Sequence, residues 1–558
     1  NVALGDLTTT HNNVAIGDEA LMSCVTGSDN TAIGRRSLRV NTASSNTAFG
    51  ADALLVNTTG TGNVAIGQGS LQSNQTGQNN TAVGQIALRD NTGSHNTAVG
   101  EEALKENTTG ASNVAIGRNA LRANTTSSNN TAIGDNALLV NVTGLDNTAV
   151  GSGCLDANTG NYNTGVGKGA LTANTTGQQN AAFGVSSMIT NTTGDFNTAY
   201  GTNSLYYNTT GDENTAVGRA ALFNNTTANY NTAVGDLALY SNTTGSNNTA
   251  IGNNCLTANT TGTENTAVGT NAADAITTGN SNTAVGRNAL TSGTTCDYNV
   301  AMGFEALKDA TTGSDNSAFG RQALANVTTA NSNCAFGSVA LFTQTDGGTK
   351  NCAFGGGALY SNTTGDSNCA FGDSALYTNT TGTRNIAIGD YALGVNTTGQ
   401  QNVAIGYGAL DANTTASSNV AIGYEALSAN QTGIQVTAIG YQALKVHTGS
   451  YCTAVGHQAL DACTTGTTNV AVGDGSLGSI TTNGACTAVG HFALNNNTSA
   501  NNTAFGKNAG RSNTTGYVTA VGNSACFSNT TGDQNTAVGN NAMYACVTGS
   551  NNTAVGVN

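Results

Sequence analysis

A single unit, N-T-A-V-G-x-x-A-L-x-x-N-T-T-G-x-x, recurs from one end of the chain to the other. Numbering its first Asn as position 1 puts an invariant Gly at position 5. These anchor glycines run Gly5, Gly17, Gly34, Gly50, Gly67 and onward to Gly522, Gly539 and Gly556. There are 34 of them, and the 33 intervals average 16.7 residues. Gly5 to Gly17 is a degenerate opening interval, Gly34 to Gly50 is one residue short, and Gly337 to Gly355 is one residue long. Length changes fall after position 9, so that stretch is a loop. A period of seventeen is too short for the helix pairs of helical solenoids, or for a strand plus a helix. It accommodates one short strand with turns, stacked on the next copy through a parallel ladder. The period therefore predicts an all-β fold: a single parallel β-solenoid, or β-roll, of about 33 coils. At about 4.8 Å per coil such a rod would be roughly 160 Å long.

Composition agrees with one array rather than several domains. In 558 residues there are 73 Gly, no Pro, no Trp and only 9% charged residues, with no shift along the chain. Residues 1–558 are thus expected to be one continuous repeat array. Both ends fall within the pattern, which predicts a segment of a longer chain or filament. Seventeen Lys and Arg against 31 Asp and Glu give a net charge of −14, spread thinly. That excludes the clustered basic surface of a nucleic-acid binder. No apolar run reaches the roughly 18 residues that would span a bilayer.

Alternation puts positions 2 and 4 on one face of the strand and positions 3 and 5 on the other. Position 4 is apolar throughout, as in Ile16, Phe49, Val83, Phe183, Tyr200 and Met302, and position 3 is Ala in every copy but Gly165. Position 9 is Leu in 27 of 32 full copies; the exceptions are Met188, Ala273, Gly510, Cys526 and Met543. One account places the large residues in a wide coil interior and leaves a flat, semi-exposed Ala/Gly surface. The other buries both faces, one inside the coil and one against neighbouring chains. The second is preferred, because a continuous apolar stripe would exceed what monomers expose. It implies a homotrimer or a filament bundle of copies of this chain.

The N-x-A-[VI]-G-x-x-A core, seen in Asn13 to Ala20 and Asn113 to Ala120, resembles the head repeats of trimeric autotransporter adhesins and related fibre repeats of phage, viruses and extracellular filaments. The resemblance implies a left-handed parallel β-roll, three chains wide, on a cell or virion surface. The present unit departs from that pattern in its extra N-T-T-G turn. Residues 1–558 are also repeat throughout, with no neck, heptad stalk or membrane-anchoring barrel among them.

Position 12 carries Asn-Thr-Thr in fifteen coils: Asn57, Asn107, Asn124, Asn174, Asn191, Asn208, Asn225, Asn242, Asn259, Asn362, Asn379, Asn396, Asn413, Asn513 and Asn529. Asn-x-Thr is an N-glycosylation acceptor in a secreted protein. Further acceptors include Asn79, Asn129, Asn247 and Asn551. The other reading is a ladder of stacked amides. Where Asn is missing at position 12, the replacements include Cys24, Ile276, Ala310, Cys463, Ile480 and Cys546. Such residues favour an inward position and hence the ladder. Thr at positions 13 and 14 forms ranks along the array. Adjacent residues point to opposite sides, which suits turn and ladder chemistry rather than an ice-binding T-x-T surface.

The twelve Cys are scattered, apart from Cys334, Cys352 and Cys369 at position 2 of consecutive coils. Beside them Phe319, Phe336, Phe354 and Phe371 occupy position 4. This joint exchange of Thr and Val for Cys and Phe predicts a repacked buried face. The five His (His11, His95, His447, His457 and His491) stand apart. His457 and His491 share position 6 two coils from each other, ~10 Å by the strand spacing. No C-x-x-C, phosphate loop or calcium-roll motif occurs. The pattern predicts no enzyme, no cofactor and no metal site. The expected function is an extracellular structural fibre or filament subunit. The alternative is an adhesin or receptor-binding tail fibre that presents its repeats to host-surface or matrix glycans. Tyr206, Tyr207, the loop Thr345 to Lys350, and the pair Arg35 and Arg36 are the candidates for such binding.

Overall fold

Each coil begins with a strand of three or four residues at positions 2 to 4, where Thr or Val, Ala, and a β-branched or aromatic residue favour extended backbone. The computed structural model describes residues 9–558; Gly5 and the start of the degenerate interval lie outside them. Two compact units divide the chain, one ending at Asn280 and the other running from Ser281 to Asn558. The first carries β1 (Val14–Ile16) to β16 (Thr266–Val268), and the second β17 (Thr283–Val285) to β33 (Thr553–Val555). Within each unit successive strands pair in parallel, position for position, as in Thr47↔Val64, Ala48↔Ala65 and Phe49↔Ile66 or Cys334↔Cys352, Ala335↔Ala353 and Phe336↔Phe354. Each unit is therefore a parallel β-solenoid of stacked seventeen-residue coils, and no helix occurs among the described residues.

The ladder continues around the whole coil. In the coil that starts at Asn46, Thr47 N–H donates to Asn63 O at 2.8 Å, Leu54 to Ser70 O at 3.0 Å and Thr58 to Gln75 O at 3.0 Å. Gly50 and Asp52 donate the other way, to Ile33 O at 2.8 Å and Arg35 O at 2.9 Å. A Pro at any of these places would remove a ladder donor; its absence from the chain follows.

The corner after the strand is built from left-handed residues. Asp52 at position 7 has φ 62° and Leu54 at position 9 has φ 49°, and the same pair recurs coil after coil. Left-handed backbone costs a branched residue about 1–2 kcal/mol. Burying a Leu side chain gains about 1.5–3 kcal/mol, and the ladder bond from Leu54 N–H holds the conformation. The two left-handed residues fold the chain back so that Ala53 and Leu54, though adjacent, are both buried.

The interior is narrow and is filled by Asn46, Ala48, Ala53, Leu54, Asn57 and Gly60 in this coil, all buried. The strand therefore faces the opposite way from a wide interior lined by large residues. Ala at position 3 points in and the large residue at position 4 points out: Ala48 is 0% exposed and Phe49 52%. Position 3 admits only a methyl group because positions 8 and 9 fill the space facing it.

Three exceptions show that the interior volume is shared. Cys154 replaces Ala at position 8, and Gly165 replaces the Ala at position 3 that faces it. A Cβ on Gly165 would lie 2.5 Å from Cys154 Sγ. Gly510 replaces Leu at position 9, and Val518, buried, replaces the Asn at position 1 that follows. Gly293 replaces Asn at position 12, and a Cβ there would lie 2.8 Å from the Sγ of Cys296, which replaces Gly at position 15. Gly165→Ala should therefore destabilise its coil by about 1–3 kcal/mol through overpacking, and Cys154→Ala in the same chain should restore most of it. Amide hydrogen exchange across the two coils measures both. Equal destabilisation with and without Cys154→Ala would refute the shared volume.

Candidate interaction surface

The side chains pointing out of the strand have no partner in their own coil, so they stack on copies of themselves. Position 4 forms a stripe along each unit. Ile16, Phe49, Ile66 and Tyr200 are exposed in the first unit, and Met302, Phe371, Ile388 and Phe505 in the second. In the second unit Phe319, Phe336, Phe354 and Phe371 form a ring stack, with centroids 4.3, 4.6 and 4.6 Å apart and planes within 7°. Cys334, Cys352 and Cys369 flank it on the same side, half-buried, and all three thiols are free. The joint Cys and Phe exchange thus lies on the outward face and not on a buried one. Partial burial is the main influence pushing the Cys334 and Cys369 thiols up, and Cys352 between them adds to it.

Two further aromatic rows lie outside position 4. At position 10, Tyr206, Phe223 and Tyr240 stack with centroids 5.0 and 5.1 Å apart, and Tyr207 meets Phe223 edge-on. The adjacent tyrosines singled out in the sequence are the start of this row. At position 6, Tyr407, Tyr424, Tyr441 and His457 stack at 5.5, 5.4 and 5.2 Å.

The row continues as a charged one. Asp474, at position 6 of the intervening coil, lies 3.0 Å from His457 Nδ1 and 3.4 Å from His491 Nε2. The two histidines, isolated in sequence, are thus bridged by a carboxylate. Following position 6 through every coil would have revealed it. His447 is not isolated either. It replaces a ladder Asn at position 12, is fully buried, and neither ring nitrogen is hydrogen-bonded. Cys452 and Cys463 lie beside it, their sulfurs 3.1 and 3.6 Å from the Gly466 carbonyl. A hydrogen bond from Cys463, with His447 alongside, holds the Cys452 thiol below its ordinary range. Among the described residues no group of three His, Cys, Asp or Glu is arranged to hold a metal ion.

All fifteen Asn-Thr-Thr asparagines are fully buried. They form the ladder. Asn208 Nδ2 donates to Asn191 Oδ1 at 2.8 Å and to Gly211 O at 3.0 Å, and its Oδ1 accepts from Asn225 Nδ2 at 2.8 Å. A glycan on that nitrogen would replace one of its two hydrogens, and with it a donor bond, inside the filled coil. A second ladder runs through position 1, where Asn63 N–H donates to Asn46 Oδ1 at 3.0 Å and Asn63 Nδ2 to Gly77 O at 2.9 Å. Asn79, Asn129, Asn247 and Asn551 are exposed, at the left-handed position 17. Thr at position 13 turns its hydroxyl into the ladder, as Thr108 Oγ1 does to Thr125 O at 2.9 Å. That leaves the hydroxyl rank engaged with the backbone.

Charges pair between coils on the surface. Arg118 meets Asp135 through two bonds of 3.0 and 3.2 Å, and Arg35 and Arg36 both reach Asp52. Exposed pairs of this kind contribute little to stability, and they neutralise the one basic pair proposed for binding. The loop from Thr345 to Lys350 holds the extra residue of the long coil, and Asp346 and Gly347 are exposed. No helix of the described residues is long and apolar enough to cross a membrane. No protein-family model matches the chain, and no curated protein matches it significantly.

Proposed function

We propose that the chain is a structural fibre subunit, outside the cell or on a cell or virion surface, that assembles with copies of itself through the position-4 stripe. The observation that carries this reading is the orientation of the strand. The coil interior is already filled by Ala, Leu and Asn, so the outward Ile, Val and Phe residues add nothing to it and cover only their neighbours in the same stripe. A row of apolar side chains repeating once per coil is matched by a surface of the same period, and another copy of this chain supplies one. The likeness of the repeat core to trimeric autotransporter heads agrees with three chains meeting along such stripes. Ladder bonds around the whole coil and the absence of Pro suit a shaft whose work is stiffness and resistance to proteolysis.

Sedimentation equilibrium tests the reading. The chain is expected to be a stable oligomer at micromolar concentration, and the triple variant Ile66→Asp, Ile116→Asp, Ile133→Asp is expected to dissociate while keeping its β circular dichroism. A chain that stays monomeric across that range would sink the proposal. An adhesive fibre is the second reading. It draws on the aromatic rows at positions 6 and 10, which lie off the stripe and would remain open to host-surface or matrix glycans in an assembled fibre.

A further inference from the structure

The position-10 row of the second unit, Phe342, Tyr360 and Tyr377, stacks at 5.3 and 5.0 Å and then stops. The next residue in the row is Gly394. The three atoms nearest to a Cβ built on Gly394 are backbone atoms of Tyr391, 3.1–3.6 Å away, and Gly394 lines the opening left in the row. The row resumes one coil later with Asp411. A notch of about 470 Å³ results, with Tyr377 at one end and Asp411 at the other. Tyr391 and Tyr407 form its rim, with ring centroids 6.3 Å apart and planes inclined by 75°. A second glycine, Gly408, keeps the approach to the Asp411 carboxylate clear, with a Cβ there 3.8 Å from Oδ2.

We propose that this notch binds a small organic ammonium ion, independently of how the fibre assembles. The steeply inclined rings of Tyr391 and Tyr407, with Tyr377 at the end of the notch, offer the negative faces that attract a cation within about 6 Å. Asp411 is the only ionisable group besides the tyrosines in the lining, which contains no Lys or Arg. The nearby Lys445 is engaged with Glu425 at 2.7 Å. Burial is the main influence holding the Asp411 carboxyl above its ordinary range, with Glu425 adding to it and Lys445 opposing. A bound cation would relieve that penalty. A neutral ligand of the same shape would not, so charge and not shape should set the affinity. The volume falls within the roughly 300–1,000 Å³ of small-molecule sites.

Choline chloride is the probe, followed by the tyrosine ring signals in NMR titration and by calorimetry on the full chain. Saturable binding is expected, with a dissociation constant on the order of millimolar or tighter. The neutral carbon isostere of choline and the Asp411→Asn chain should each show binding weakened by about tenfold or more, a difference of about 1.4 kcal/mol. Gly394→Leu should abolish binding by refilling the notch with a residue that position 10 already carries at Leu55 and Leu139. It therefore leaves the coil intact. No saturable signal, equal affinity for the neutral isostere, or undiminished binding by Gly394→Leu would each overturn the proposal.

Discussion

Asn208→Leu should lower the local stability of its coil by about 3–5 kcal/mol. The substitution keeps volume and removes the amide. Three hydrogen bonds are lost, and the partners do not regain water. Asn191 Oδ1 loses its donor, and one Nδ2 hydrogen of Asn225 loses its acceptor, while Gly211 O keeps its bond from Asn197 at 2.8 Å. Each stranded buried group costs about 1–3 kcal/mol. Asn259→Leu is the paired control. Asn259 donates to Asn242 Oδ1 at 2.8 Å and to Gly262 O at 3.0 Å, but its own Oδ1 has no partner. It strands one acceptor rather than two groups, so its effect should be about half. Solenoids open locally, so native-state hydrogen exchange is the measurement. Protection at Leu205 and Leu222 should fall roughly a hundredfold or more in Asn208→Leu. Equal effects of the two variants would show that the ladder does not act as a chain.

The same logic explains where the ladder is missing. Ile276, Gly293, Ala310 and Val327 occupy position 12 in consecutive coils, as do His447, Cys463 and Ile480; Gln344, which follows Val327, rejoins the ladder by accepting from Asn362 Nδ2 at 3.4 Å. Cys24 and Cys546 stand in the first and last described coils that carry the position. No single apolar replacement is inserted between two ladder Asn. One such residue would strand the amides on both sides, whereas a run strands only those at its ends. His447 opens the second run beside Asn430, whose amide is engaged in its own turn, donating to Gly433 O at 2.9 Å and accepting from Gly433 N–H at 2.9 Å.

The period, the strand at positions 2 to 4, the loop after position 9 and the inward Asn were legible in the sequence, because each follows from spacing or from the kind of residue that replaces another. Strand orientation was not. Large apolar residues are usually buried, and that expectation places Phe49 and Ile66 inside. The coil is too narrow for them, and its width is set by the left-handed pair at positions 7 and 9. Nothing in a Leu such as Leu54 announces left-handed backbone; its propensity argues against it. The compensating pairs were equally hidden, since Cys154 and Gly165 are distant in the repeat and meet only across the interior. On the surface, the His457–Asp474–His491 row escaped notice because its middle member is not a histidine. The notch at Gly394 escaped because two absent side chains make it.

Gly201→Ala should break the stack at its coil, with a larger effect than any change to the interior. Position 5 is constrained twice. Gly201 has φ 138°, a conformation that only glycine adopts readily and that costs other residues about 1–3 kcal/mol. An added Cβ would also lie 2.5 Å from Gly218 O and 2.7 Å from Gly218 C. Those atoms belong to the backbone of the next coil, so no side chain can swing aside, and relief requires the coils to part. Parting them stretches the ladder bonds on either side, including Gly218 N–H to Tyr200 O at 2.8 Å. Gly211→Ala supplies the contrast at position 15. A Cβ there is also close, 2.4 Å from Ala228 O, but Gly211 is not left-handed. The next coil carries Ala228 at the same position, buried and still accepting from Asn214 Nδ2 at 2.8 Å. Its effect should stay within about 1 kcal/mol, the usual range of a mild substitution. Limited proteolysis separates the two. Cleavage confined to the coils around Gly201 is expected in Gly201→Ala alone, and equal resistance of both variants would mean that the invariant glycine is not held in place by the approach of the next coil.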